Sequence, residues 1–319
     1  MPVIRLLVLA LAVAACSTND SFYTTFAFDY SHPLALVHPF SGYGPDSLIL
    51  DPGETLTVGQ IDNGCGTLYT IAPDGTTTTR YSLSSSDGCG PQSLAEAADG
   101  TLYVAQNGGA WGASGSAEPG VQVITGSRVD YLVEGLGAPN DLAFGPDGRL
   151  WITDTRAEFD ISTPEAGPPG HVYATDVASG DTRQVLDDGP VFINGLGFDP
   201  DGLRLLVTAT LSSRLLSYSL SGFGAPELVH TFVNGWPDGM AVSARGDYWV
   251  ALTGADRIDV VDAGGRRVGQ VGMPAGSLPT NVCIGGESSD ELFVTAAQSQ
   301  ALLRIRFDGD DPEAPRLKP

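Results

Sequence analysis

One short pattern recurs six times along the chain, and it decides the fold class. Its copies begin at Pro45-Asp46-Ser47-Leu48, Pro91-Gln92-Ser93-Leu94, Pro139-Asn140-Asp141-Leu142, Ile193-Asn194-Gly195-Leu196, Pro237-Asp238-Gly239-Met240 and Pro279-Thr280-Asn281-Val282. The second positions fall at 46, 92, 140, 194, 238 and 280, so the spacings are 46, 48, 54, 44 and 42 residues. Each start leads into a short apolar strand, usually a turn with Asp-Gly or Gly, and a second strand such as Arg149-Leu-Trp-Ile or Tyr248-Trp-Val-Ala. A third and often a fourth β-rich run follow. Repeats of about 40–50 residues with four strands each predict a β-propeller, because one such unit cannot bury its faces alone. The sequence thus predicts an all-β, six-bladed propeller of four-stranded blades over residues 22–310. The sixth unit runs out after three strands, at Ala301-Leu-Leu-Arg-Ile-Arg-Phe. A segment within 22–40 is expected to supply its missing outer strand, closing the ring and covering the sheet edges. Residues 311–319 read as an acidic C-terminal tail.

Composition agrees. Forty-one glycines and 22 prolines without a strict period supply the turns of an all-β chain. The formal charge is −22, and Lys318 is the only lysine. Such a surface repels nucleic acid and anionic lipid and favours cations.

The first residues read as a processing signal. Arg5 precedes an apolar run, Leu6 to Ala15, that is too short to span a bilayer as a helix. The run ends Val13-Ala14-Ala15-Cys16, which resembles a bacterial lipobox. The expectation is a lipoprotein signal peptide over 1–15, lipidation at Cys16, a tether over 16–21, and an exported protein anchored by that lipid alone, facing the periplasm or the exterior. Cys65 and Cys89 both stand in Gly-rich turns, where an exported protein could join them by a disulfide. Cys283 lies in an apolar run and reads as a buried thiol. No Cys/His metal spacing is present.

The first strand of a propeller blade lines the central channel, so the second residue of every repeat should reach one height on the axis. Those residues are Asp46, Gln92, Asn140, Asn194, Asp238 and Thr280. All six bear side-chain oxygen and none is basic. Two carboxylates with amide oxygens suit one hard divalent cation, Ca²⁺ better than Mg²⁺ because its shell is larger and more flexible. Loops after second strands should open on the same face. Two are long and Gly/Pro-rich, 107–120 and 155–170, and these would wall a pocket. Gln92, Asp154, Arg156 and Thr280 are candidate pocket residues, with Trp111 and Phe159 on the loops.

The stretches "PNDLAFGPDGRLWITD", "NGLGFDPDG", "PDGMAVSARGDYWVAL" and "PTNVCIGGESSDELFVTAA" resemble the SMP-30/gluconolactonase/luciferin-regenerating-enzyme family over about residues 40–310. The resemblance implies a six-bladed propeller with one catalytic divalent ion. By match its ligands would be Asp46, Asn194 and Asp238, with Asn140 beside the ion contacting it or the substrate. It implies metal-assisted hydrolysis of a small lactone or related ester, with Asp238 as general base. Asp46 stands where the family commonly has Glu, which implies reach to the ion through water. Ala138 stands where some sugar lactonases place Arg, which implies a more apolar substrate. The competing expectation is a non-catalytic propeller lipoprotein that binds a ligand or protein partner. A monomer is the default expectation.

Overall fold

The computed structural model describes residues 35–39, 45–50, 56–60, 67–72, 76–82, 91–108, 117–156, 166–285 and 291–307. The side chains of residues 35–67 and 77–91 fall outside that description, as do the expected signal, Cys16, Cys65, Cys89, Trp111, Phe159 and the acidic tail.

The described chain is an all-β propeller. It opens with β1 (Ala35–Pro39). The first sheet holds β2 (Pro45–Leu50), β3 (Leu56–Gln60), β4 (Thr67–Ile71) and β5 (Thr77–Ser82). The second holds β6 (Pro91–Glu96), β7 (Leu102–Gln106), β8 (Gly120–Thr125) and β9 (Arg128–Glu134). The third holds β10 (Pro139–Phe144), β11 (Leu150–Asp154), β12 (Gly170–Thr175) and β13 (Thr182–Gly189). The fourth holds β14 (Ile193–Phe198), β15 (Arg204–Ala209), β16 (Arg214–Ser219) and β17 (Glu227–Thr231). The fifth holds β18 (Trp236–Val242), β19 (Tyr248–Thr253), β20 (Arg257–Val261) and β21 (Arg267–Gly272). The last holds β22 (Pro279–Gly285), β23 (Glu291–Ala296) and β24 (Ala301–Arg306). Its fourth strand is β1, which pairs antiparallel with β24. Six four-stranded sheets result. Their inner strands are neighbours in the order β2, β6, β10, β14, β18, β22, and β22 also lies beside β2.

The core lies between sheets, because successive side chains on a strand face opposite neighbours. In β11, Leu150 and Ile152 pack with Tyr103 and Ala105 of the second sheet. Trp151, between them in sequence, packs instead with Ile193 and Val207 of the fourth. The fifth sheet repeats this: Tyr248 and Val250 meet Leu206 and Leu215 behind, while Trp249 meets Val282 and Val294 ahead. Burying one such large side chain contributes about 1.5–3 kcal/mol.

Trp151 is fixed in two ways. Its Nε1 donates to Asp147 Oδ1 in the Asp-Gly turn, at 2.9 Å. Its ring stands edge-on to Phe198, with centroids 5.5 Å apart. Gly145 is required beside it, since a Cβ there would collide with the indole nitrogen. Cys283 is half-buried rather than buried, because β22 turns its first-position and even-numbered side chains inward.

Candidate functional site at the heads of the inner strands

Every inner strand carries an irregularity at its head. The ladder of β10 passes from Pro139↔Asp154 to Leu142↔Ile152, so Asn140 and Asp141 together oppose Thr153. β14 shifts between Ile193 and Leu196, and β18 between Pro237 and Met240. β2, β6 and β22 shift directly after their opening prolines. A bulge of this kind turns side chains out of the regular pleat, and such bulges gather beside functional sites. The polar second residue of each repeat thus sits where the strand releases it from the ladder.

These heads are largely enclosed. Asn140, Asn194, Gln92 and Thr280 are buried, at 8, 5, 5 and 8 % exposure, and Asp238 is half-buried. Asn194 Nδ2 donates to Thr210 Oγ1 at 3.2 Å. Thr253 Oγ1 lies 2.9 Å from Asp238 Oδ2. Thr280 Oγ1 lies 2.9 Å from Thr295 Oγ1. Asp46 occupies the matching place in β2, with its side chain outside the described residues.

The third residue of each repeat does a different job. Asp141 accepts three hydrogen bonds through its carboxylate. Its Oδ1 accepts from Ser93 Oγ of the second sheet at 2.6 Å and from Leu142 N at 2.9 Å. Its Oδ2 accepts from Leu196 N of the fourth sheet at 2.7 Å. Burial pushes its carboxyl above the ordinary aspartate range, and the bonds from Ser93, Leu196 and Leu142 pull the other way. Asp141 therefore joins three sheets. Asn140 and Asp141 are adjacent and both polar, and it is Asp141 that staples the neighbouring sheets.

Asp154 is likewise committed to the backbone. It is 1 % exposed, and its carboxylate accepts from Gly137 N at 2.8 Å, Ala138 N at 2.7 Å and Arg156 N at 3.2 Å. It clamps the segment that feeds Pro139 and Asn140 into β10. Arg156 has φ 64°, a left-handed conformation uncommon for a side-chain-bearing residue. Its Nη1 lies 3.2 Å from His171 Nε2, and His171 Nδ1 lies 3.2 Å from the Tyr173 hydroxyl. Burial, then the Arg156 charge, hold the His171 imidazole below its usual pKa, against Asp154 and Asp187. Arg156 thus meets β12, the third strand of its sheet, through His171.

Two features at the heads escape a reading of the repeats as single motifs. Gln106, wholly buried, pairs with Pro91 beside Gln92. The Nε2 of each glutamine meets no hydrogen-bond partner among the described residues. The second feature is a set of threonines, Thr155, Thr210 and Thr253. They stand 15, 16 and 15 residues after Asn140, Asn194 and Asp238, a recurrence that would have revealed them.

Among the described residues, no three His, Cys, Asp or Glu side chains are grouped to hold a metal. The donors at the strand heads are instead amide, hydroxyl and carboxylate oxygens. That chemistry fits a hard cation such as Ca²⁺ and not a thiolate- or imidazole-bound metal. The glutamine N–H groups cannot ligate a cation; they suit an oxygen of a bound molecule.

The described residues form an all-β propeller whose inner strands carry bulged heads bearing side-chain oxygen. A sequence profile of the SMP-30/Gluconolactonase/LRE-like region matches residues 66–298. The chain belongs to that family. It is 31 % identical over 184 residues to the pentonolactonase XacC of Haloferax volcanii, covering 55 % of this chain and 60 % of that one. The chain thus spans less than two thirds of that relative's length. A solved gluconolactonase from Xanthomonas campestris superposes with a TM-score of 0.69 at 19 % identity, covering 86 % of this chain and 89 % of that one. Regucalcin from Agrobacterium tumefaciens, described as a calcium-binding protein, superposes with a TM-score of 0.67 at 20 % identity, covering 85 and 93 %. These two likenesses concern the fold.

Proposed function

We propose that the chain is a calcium-dependent hydrolase of a small lactone or related ester. The observation that carries this reading is the set of second-position residues, oxygen-bearing in every repeat and set on bulged strand heads in a family that includes lactonases. Asp46, Asn194, Asp238 and Asn140 would hold the ion. When bound, a divalent cation would polarise the substrate carbonyl and stabilise negative charge on its oxygen. Asp238, half-buried and so open to water, takes the proton of the attacking water as its oxygen joins the acyl carbon. The same proton passes to the ring or ester oxygen as the acyl C–O bond breaks, giving a hydroxy acid or an acid and an alcohol. Asn140 orients the reacting group. Gln92 and Gln106 offer amide N–H donors to substrate oxygens, and Thr280 and Arg156 complete the rim. Asp154 serves the pocket indirectly, through the backbone it clamps.

The six four-stranded sheets and the pairing of β1 with β24 support a six-bladed ring closed by an N-terminal strand. The Leu6–Ala15 run and Cys16 support export and anchoring by a lipid, and the Gly-rich turns support a Cys65–Cys89 disulfide.

The test is a calorimetric calcium titration of the chelator-treated chain, followed by a lactone and ester screen. The expected result is saturable binding of about one ion per chain, lost in Asn194→Ala. No binding at millimolar calcium would overturn the reading and favour a binding module that uses the same face.

A further inference from the structure

Thr155, Thr210 and Thr253 occupy one place in three successive sheets. Each follows the residue that pairs with the residue just before the second position. Each hydroxyl reaches a backbone carbonyl at the head of the next inner strand. Thr155 Oγ1 donates to Ile193 O at 2.5 Å, Thr210 Oγ1 to Pro237 O at 2.8 Å, and Thr253 Oγ1 to Pro279 O at 2.7 Å. A carbonyl only accepts, so at Thr155 and Thr210 the single proton of the hydroxyl is committed there. Any further partner of that oxygen has to donate.

At Thr210 the further partner is Asn194, 3.2 Å away and buried with it. The atom facing the hydroxyl must then be the amide nitrogen. The two ends of an Asn amide look alike, and here the threonine settles which is which. The carbonyl oxygen Oδ1 is the end turned away from Thr210. We infer that Thr210 is a positioning residue, holding Asn194 so that its oxygen rather than its N–H₂ is presented as a cation ligand. Thr253 differs: its one proton lies between two acceptors, Pro279 O at 2.7 Å and Asp238 Oδ2 at 2.9 Å, so it orients no amide. This inference rests on the proposed cation site.

Calcium affinity and melting temperature of the chelator-treated full chain separate the possibilities. Thr210→Val keeps the shape and removes the hydroxyl; calcium binding is expected to weaken about tenfold or more, the usual effect of losing a group that orients a ligand. Thr210→Ser should restore it. Thr155→Val removes a matching bond to backbone alone, and it should lower the melting temperature with calcium affinity unchanged. If Thr210→Val does not fold, Thr210→Ala takes its place. Wild-type affinity in the Thr210 variant, with a melting point lowered as in Thr155→Val, would overturn the positioning role and leave the cation site standing. Absence of calcium binding in the wild type would overturn both.

Discussion

β10 and β18 are inner strands of the third and fifth sheets, and they meet their neighbours by opposite means. At its third position β10 has Asp141, whose carboxylate spans to Ser93 on one side and Leu196 on the other. At the same position β18 has Gly239, which touches its neighbour by having nothing there. A Cβ on Gly239 would lie 2.5 Å from Asn281 Cγ and 2.8 Å from Thr280 O. Gly195 of β14 does the same toward Asp238 O, at 2.6 Å. β10 thus reaches, while the next two inner strands, β14 and β18, both yield. A long side chain from one strand needs a bare backbone on another, so the identity of one third residue depends on a residue one repeat away.

The largest expected effect comes from ending the yielding. Gly239→Ala forces Asn281 aside or shifts the β22 backbone, and overpacking of this kind costs about 3 kcal/mol. Urea unfolding checks it, and a loss below about 1 kcal/mol would show that Asn281 simply swings away. The reaching strand offers the next test. Asp141→Asn keeps the shape but turns an N–H₂ toward either Leu196 N or Ser93 Oγ, with an expected loss of about 2 kcal/mol at neutral pH. Its pH dependence has a definite sign. Burial raises the folded carboxyl pKa above the unfolded one, so the stability Asp141 contributes is full below the unfolded value and declines as pH rises through the folded one. The gap between wild type and Asp141→Asn should therefore be widest in acid and narrow toward neutrality, in melts taken from about pH 3 to 7. A gap that widens with pH would show that the three bonds outweigh burial. The smallest change is Ser93→Ala. It removes one bond to Asp141 and leaves Leu142 N to Asp141 alone, for about 1 kcal/mol by the same unfolding measurement.

The comparison also shows what a sequence reveals and what it conceals. The repeats were legible because Pro-Asn-Asp-Leu and its cousins return at near-constant spacing, and strand boundaries followed from them. Candidate site residues were picked out by the same period, which singles out one residue per sheet. The role of Asp141 was not, because Ser93 and Leu196 lie 48 and 55 residues away and nothing local marks them as partners. Asp154 reads as a pocket residue in the sequence and serves as a clamp in the fold, since a carboxylate at a strand end looks the same whether it faces substrate or backbone. The bulges were hidden too. They depend on which residues pair across strands, and composition does not record that.

The arrangement of the core has a consequence for how the molecule comes apart. Leu150 and Ile152 serve one neighbour and Trp151 the other, so removing any interior sheet exposes apolar faces on both adjoining sheets at once. In an open array of repeats, a terminal unit can peel away by breaking a single interface. Here β2 lies beside both β6 and β22, so no sheet is terminal in that sense. The first step of denaturation must break two interfaces together, and the barrier to it is correspondingly high. Unfolding slower than that of an open array of the same sheets is the expected outcome, and denaturant-jump unfolding rates check it.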